Sequence, residues 1–263
     1  MLIRGRAGRN GFASPFAGKA VSLHLKLADM NQADAAKLVE QMIAVLPVGA
    51  TEVHGDHIPL GTDSYLADAL CRRLEERMGT DKILILPCVP YGQVWSLRAA
   101  KGTVDIPDSV LTPYLVNIAK SLYRAGVRRF AFVNAHVGNN NSVKAAMRQI
   151  WAETDMKVYG FTYPGAESAI REVCTTKRAH GAYFHACEIE TSYMLYLCPE
   201  RVEMSRAVCQ YPEFPADFDA TPIPWTDFME TAVLGDATAA DAEKGRYIID
   251  RVIENMARIL GQE

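Results

Sequence analysis

The chain contains no Cys-x-x-Cys pair, although it holds six cysteines, at positions 71, 88, 174, 187, 198 and 209. Their scatter excludes a zinc ribbon or a dithiol redox motif. It suits a reducing compartment better than a disulfide framework, so a cytoplasmic location is expected. No apolar run approaches the roughly 18 residues needed to cross a membrane. There is no basic surplus either. The 28 Lys and Arg against 31 Asp and Glu give a net charge of −3, and no basic recognition helix is present, so neither nucleic acid nor membrane is an expected partner. Internal repeats, low-complexity tracts and an interdomain linker are also missing. With 263 residues, 49% of them apolar, the chain reads as one domain with a large core.

Residues 1–26 stand apart as a basic N-terminal arm. Arg4, Arg6, Arg9 and Lys19 occur there without an acidic residue. Two readings stay open: a transit-type segment, or a flexible arm ahead of a domain spanning 27–263.

Apolar patterning then alternates between strand and helix. Helical spacing over 27–42 precedes a strand at 43–48. A helix over 64–78 leads to a strand at 83–86, and a helix from Asp108 or Ser109 to Arg124 leads to a strand at 130–133. A helix from 139–141 to Trp151 leads to a strand at 158–161. Further helices are expected at 188–197 and 237–260, around an irregular excursion at 210–225 that holds Pro212, Pro215, Pro222 and Pro224. This order predicts an α/β domain with a mostly parallel sheet flanked by helices on both faces.

Chemistry-bearing residues gather at strand ends. Glu52, His54, Asp56, His57 and Asp63 follow the first strand, and Asn134, His136 and Val137 follow the third. His185, Cys187, Glu188 and Glu190 open a helix. Four of six histidines fall in these three short segments. Singly, each residue has a plain role: Asp63 as a helix cap, Glu188 as a dipole partner, a lone histidine as a hydrogen-bonded structural residue. Together, imidazoles and carboxylates at the C-terminal edge of a parallel sheet point to a metal site accepting zinc, manganese or iron.

The segments Leu46-Pro47-Val48-Gly49-Ala50-Thr51-Glu52-Val53-His54-Gly55 and Pro59-Leu60-Gly61-Thr62-Asp63 resemble the signature of the creatininase (creatinine amidohydrolase) family. So do Asn134-Ala135-His136-Val137-Gly138-Asn139, His185-Ala186-Cys187-Glu188-Ile189-Glu190-Thr191-Ser192 and Gly235-Asp236-Ala237-Thr238 with Glu243-Lys244-Gly245. The resemblance spans about residues 27–260 and implies a hydrolase with two divalent metal ions per chain. By the family's pattern Glu52 and His136 hold one ion, His54 the second, and Asp63 bridges them. Creatininase has a further glutamate ligand at the position of Gly138. Glu188 is expected to supply that missing carboxylate here, since many relatives carry a glutamate there together with the glycine. On a helix Glu190 points some 200° away from Glu188, so Glu190 is expected beside the site in a catalytic or supporting role. His185 is the expected proton shuttle, and Asn134 and His57 are expected to orient the ligands.

The resemblance implies that a shared hydroxide attacks a carbonyl and breaks a C–N bond in a small cyclic amide or formamide. A lactone or a carbon–carbon bond in a cyclic ketone is the alternative on the same metals. A metal-binding oligomer without turnover is an alternative of another kind. Val137 and Gly181 replace aromatic residues of creatininase, so the aromatic box is expected to be largely missing and creatinine is not the expected substrate. Arg98 and Lys101 are either an anion-binding pair or two solvated charges. Trp95 is placed to stack on a ring or to pack. Cys187, where relatives have glycine, is expected to fill space rather than react. A homo-oligomer, hexameric by family resemblance, is expected, with the arm and the proline-rich excursion as interface elements.

Overall fold

The computed structural model describes residues 25–262. Its spine is β1 (Ile43–Val48), in which every residue is buried. β1 pairs in parallel with β2 (Ile83–Ile85) on one side and with β3 (Arg129–Asn134) on the other, and β4 (Lys157–Phe161) extends the sheet beyond β3. The strand order is β2-β1-β3-β4. The chain leaves β1 towards one edge and later returns to build the other. The β1/β3 boundary is therefore a topological switch point, and a crevice opens there at the C-terminal strand ends.

Alternation along the strands builds two cores. Ile43, Val45, Ala131 and Val133 pack with α2 (Thr62–Met78), α5 (Ala166–Val173), α6 (Glu188–Leu197) and α7 (Ala242–Leu260). Ala44, Leu46, Val48, Phe130 and Phe132 pack with α3 (Asp108–Arg124) and α4 (Asn140–Glu153). A parallel strand buried on both faces has to be apolar at successive positions, which is why β1 reads as an unbroken apolar run. The expected α/β architecture with helices on both faces is the one observed.

Element boundaries differ where side chains reach the backbone. The helix expected over 27–42 is broken into a single 3₁₀ turn at Leu27–Asp29 and α1 (Gln32–Leu38). Asn31 caps α1 by accepting from the Asp34 N–H. α7 starts at Ala242 rather than 237 because Asp241 accepts from the N–H groups of Glu243 and Lys244. α5 was not expected, although Ala166, Ala169 and Ile170, with Val173 packed against the same core, keep the i, i+3, i+4, i+7 spacing of an amphipathic helix. The proline-rich excursion is clipped at its base by a short antiparallel pair, β5 (Cys209–Gln210) and β6 (Gly235–Asp236). Of the proposed arm, residues 1–24 lie outside the described residues. Leu25 is tied to the sheet edge, donating to Glu75 and accepting from the Ile85 N–H. No helix among the described residues is long and apolar enough to cross a membrane, and all six cysteines are free thiols.

Candidate metal centre at the sheet switch point

Four elements deliver the site. Glu52 and His54 lie in the loop after β1, and Asp63 is the second residue of α2. His136 follows β3, while His185 and Glu190 flank the start of α6. The side chains of Glu52, His54, Asp63, His185 and Glu190 are all buried, and that of His136 is 12% exposed. Asp63 is not the α2 cap, which is Gly61. Its carboxylate lies between two imidazoles, with Oδ2 3.2 Å from His136 Nδ1 and Oδ1 3.5 Å from His54 Nε2. Glu52 Oε1 lies 3.0 Å from His136 Nδ1 and 3.8 Å from His185 Nδ1. Glu190 Oε2 lies 3.5 Å from His54 Nε2.

Each imidazole is oriented by a backbone carbonyl. His136 Nε2 meets Gln93 O at 2.8 Å, His54 Nδ1 meets Glu52 O at 3.1 Å, and His185 Nε2 meets Val53 O at 2.7 Å. A carbonyl only accepts, so these nitrogens carry the protons. In the neutral ring the opposite nitrogen then presents a lone pair to the carboxylates. Lone pairs converge from both sides, and Glu52 Oε1, His54 Nε2 and Asp63 Oδ2 are left without a hydrogen-bond partner. Buried polar atoms are normally satisfied, and a converging unsatisfied set is a cation site. Among the described residues three groups of donors lie close enough to share an ion: Glu52, Asp63 and His136; His54, Asp63 and Glu190; Glu52, His54 and His185. The nitrogen and oxygen donor set fits zinc or manganese.

The electrostatics agree. Burial opposes charge on His54, yet Asp63, Glu190 and Glu52 hold its pKa up at about 10. Burial likewise opposes charge on His136, and Glu52 and Asp63 lift it well above the usual range. Burial pushes Glu190 up to about 7 despite the nearby His54. Protons thus take the place that cations would take among three clustered carboxylates. Burial, with the charge of His54, lowers His185 to about 4.

Glu188 is not brought to this cluster, and its expected ligand role is corrected. Its carboxylate accepts from Lys244 Nζ at 2.5 Å, from the N–H groups of Thr175 and Thr176 at 2.9 Å each, and from Thr176 Oγ1 at 2.6 Å. The two glutamates do point apart, as the helical period requires, but Glu190 is the one that faces the imidazoles. Its Oε2 also accepts from the Ala186 N–H at 2.7 Å. Gly138 explains why no ligand comes from that position. A Cβ there would stand 2.3 Å from His136 Nε2 and 2.4 Å from Gln93 O, in the middle of the bond that orients His136.

The supporting residues divide. Asn134 donates to His136 O at 2.7 Å and accepts from Asn139, and so holds the His136 loop. His57 bonds Thr191 Oγ1 at 2.8 Å and braces α6 without entering the cluster. Asp56 is also outside it, at the wall of a separate opening. Cys187 is buried in the core, and burial pushes its thiol up to about 11, consistent with a space-filling role.

A cavity of about 420 Å³ leads down to Glu52, His136, His185 and Glu190, and Trp95 and Val137 line it. The expectation of a missing aromatic box is corrected. Trp95, Tyr183, Phe184 and Trp225 all line the opening, and Trp225 packs edge to face on Tyr183 and on His185, at 5.7 and 5.8 Å between ring centres. Trp225 comes from the end of the proline-rich excursion, where local sequence carries no sign of its destination. Arg98 and Lys101 do not line this opening. Arg98 is exposed and lies over the Trp95 ring at 4.6 Å, and Lys101 is exposed on the loop beyond. The cation at the opening is Lys144 of α4, which sequence reasoning missed because it is an ordinary exposed helix position.

Comparison with known proteins agrees with this geometry. The model of the family "Creatininase: Creatinine amidohydrolase" matches residues 28–260. Creatinine amidohydrolase of Pseudomonas putida is 28% identical, over 84% of this chain and 89% of that protein. The mycofactocin precursor peptide peptidase of Mycobacterium tuberculosis is 31% identical, over 81% of this chain and 82% of its own length. Among solved structures, a mutant creatininase of Zn-Zn type superposes with a TM-score of 0.78 at 26% identity, covering 91% of this chain and 98% of that one. A manganese form of creatininase gives a TM-score of 0.75 at 26% identity, covering 90% and 97%. The chain belongs to the creatininase family and is a metal-dependent hydrolase acting on carbon–nitrogen bonds.

Proposed function

We propose that this protein is a two-metal amidohydrolase that opens the C–N bond of a small amide. The observation that carries the reading is the convergence of unpaired buried donors: Glu52 Oε1, His54 Nε2 and Asp63 Oδ2, with the imidazoles locked by backbone carbonyls. Glu52, His136 and Asp63 would hold one ion, and His54, Glu190 and Asp63 the other, with Asp63 common to both. Such ions supply Lewis acidity and a water acidic enough to be deprotonated near neutral pH.

The chain does the rest. A substrate carbonyl entering by the cavity would meet Glu52, His136, His185 and Glu190 at its floor. The Trp95, Tyr183 and Trp225 walls offer aromatic faces against which a flat group can be oriented. His185 lines the same cavity, and its Nε2 is tied to Val53 O. Its free Nδ1 therefore faces inward, positioned to receive a proton and pass it to the departing nitrogen. The water oxygen ends on the acyl carbon and the protons on the amine. A carboxylate cluster opening into a cavity with a free imidazole is what a turnover site requires and a purely structural metal clasp does not.

The test is a substrate panel followed by pH-stat: lactams, formamides and N-acyl amino acids against lactones and cyclic ketones. Amide hydrolysis that is lost on chelation and restored by zinc or manganese supports the reading. Turnover confined to lactones or ketones refutes it. So does amide turnover that survives exhaustive chelation.

A further inference from the structure

Lys144 is the one lysine or arginine among the described residues lining the cavity over the cluster. It forms no ion pair with a described residue. Lys120 and Lys244, by contrast, are both paired. Its own helix offers it no acid. Positions 140 and 148 are Asn and Arg, and 141 and 147 are Asn and Met. The acid on α4, Glu153, already accepts from Lys120 and Gln149. The acids of the cavity, Glu52 and Glu190, face the imidazoles of the floor. Apart from Lys144, those acids and the imidazoles of the floor, the cavity's polar lining is neutral, with Gln93, Ser96, Asn140 and Asn141. Across the cavity wall, Trp95, Tyr183 and Trp225 also border a second opening of about 360 Å³, lined further by Phe218, Pro222 and Ile223.

We propose that the substrate is an amide bearing a carboxylate, and that Lys144 is the residue that recognises that carboxylate. The inference rests on the amidohydrolase reading and names its substrate class. A single ammonium among neutral amides matches one negative charge. A phosphate dianion calls for several donors in a fork or a nest, and the lining shows neither. The carboxylate is a spectator: the C–N bond breaks, the water oxygen joins the acyl carbon, and the nitrogen leaves with a proton. The aromatic wall accommodates the flat or apolar remainder of the molecule.

The test uses N-benzoylglycine and its primary amide, two probes that differ in one negative charge. Their binding to the zinc-loaded protein is measured by calorimetry. Wild type is expected to bind the acid about 3-fold more tightly than the amide, the scale of an exposed ion pair, with the preference shrinking as salt is raised. Lys144→Met, neutral in helix propensity, is expected to abolish the preference, and Lys144→Arg to retain it. Equal affinity for the two probes in wild type, absence of binding by either, or a preference that survives in Lys144→Met overturns the assignment. Turnover separates the two readings. A Lys144-dependent preference in a protein that hydrolyses no amide refutes the amidohydrolase reading and leaves the carboxylate site standing. Amides cleaved equally with and without a carboxylate refute the Lys144 assignment alone.

Discussion

Glu188 and Glu190 are two residues apart on one helix, and both are buried. Yet their surroundings differ in kind. Glu188 is saturated: Lys244, Thr175 and Thr176 supply charge and hydrogen bonds to both of its oxygens. Its pKa falls to about 2, with burial resisting and Lys244 and Thr176 prevailing. Glu190 has one backbone donor and otherwise faces His54 and Asp63, and burial lifts it to about 7. A buried charge satisfied by its own protein is a fastener. A buried charge left short of positive partners is a binding site for a cation.

The sharpest way to break the comparison is to neutralise each side. His136→Ala or Glu190→Gln removes a donor from the cluster. Turnover is expected to fall on the order of 10³-fold, with metal content dropping from near two equivalents towards one by elemental analysis. The fold should persist by circular dichroism. Glu188→Ala should do the reverse. Metal content stays near wild type, while stability falls by about 3 kcal/mol because Lys244 is left without its partner, read as a lower midpoint in urea. If Glu188→Ala lost metal and Glu190→Gln kept it, the assignment would be inverted.

A smaller effect is expected at the bond that orients His136. Gly138→Ala drives a methyl into the His136–Gln93 contact. Metal affinity is expected to fall 10–100-fold, the usual cost of losing an orienting partner, as measured by competition with a chromogenic chelator. The smallest effect concerns acid. The folded-state pKa of Glu188 lies below the ordinary glutamate value of 4.5, so its stabilising contribution is fully present above about pH 4.5 and is lost as pH falls towards 2. The melting-temperature gap between wild type and Glu188→Gln should therefore be constant above pH 5 and close between 4.5 and 2. A gap that widened in that window would show that the ion pair does not act as described.

Much of the fold is legible in the chain. Unbroken apolar runs such as Ile43 to Val48 mark strands buried on both faces, and the intervening helical periods mark the crossovers. Metal-type residues at strand ends, together with the switch point that parallel topology creates, place the site. Asp63 shows the limit of local reasoning: an acid at a helix start reads as a cap, the family's pattern makes it a bridging ligand, and in the fold it lies between His54 and His136. Trp225 and Lys144 were equally opaque, and Gly138 showed only that a family ligand is missing. A tryptophan among prolines, an exposed lysine and a loop glycine each acquire meaning from what the chain brings next to them.

The sequence alone therefore carried the α/β layering, the family resemblance and most of the candidate donors, because hydrophobic period and short motifs are local properties. It also required that Glu188 and Glu190 diverge, since two helical residues two apart stand about 200° from each other. Which of them faces the imidazoles was decided by the tertiary structure. Gly245 lets α7 approach so closely that a Cβ there would stand 1.9 Å from Ser192 O, and Lys244 reaches across to Glu188. That packing is consistent with a rotation of α6 about its own axis that a linear pattern does not contain. The same holds for the walls of the cavity, where residues as distant in sequence as Trp95, Lys144 and Trp225 meet over one site.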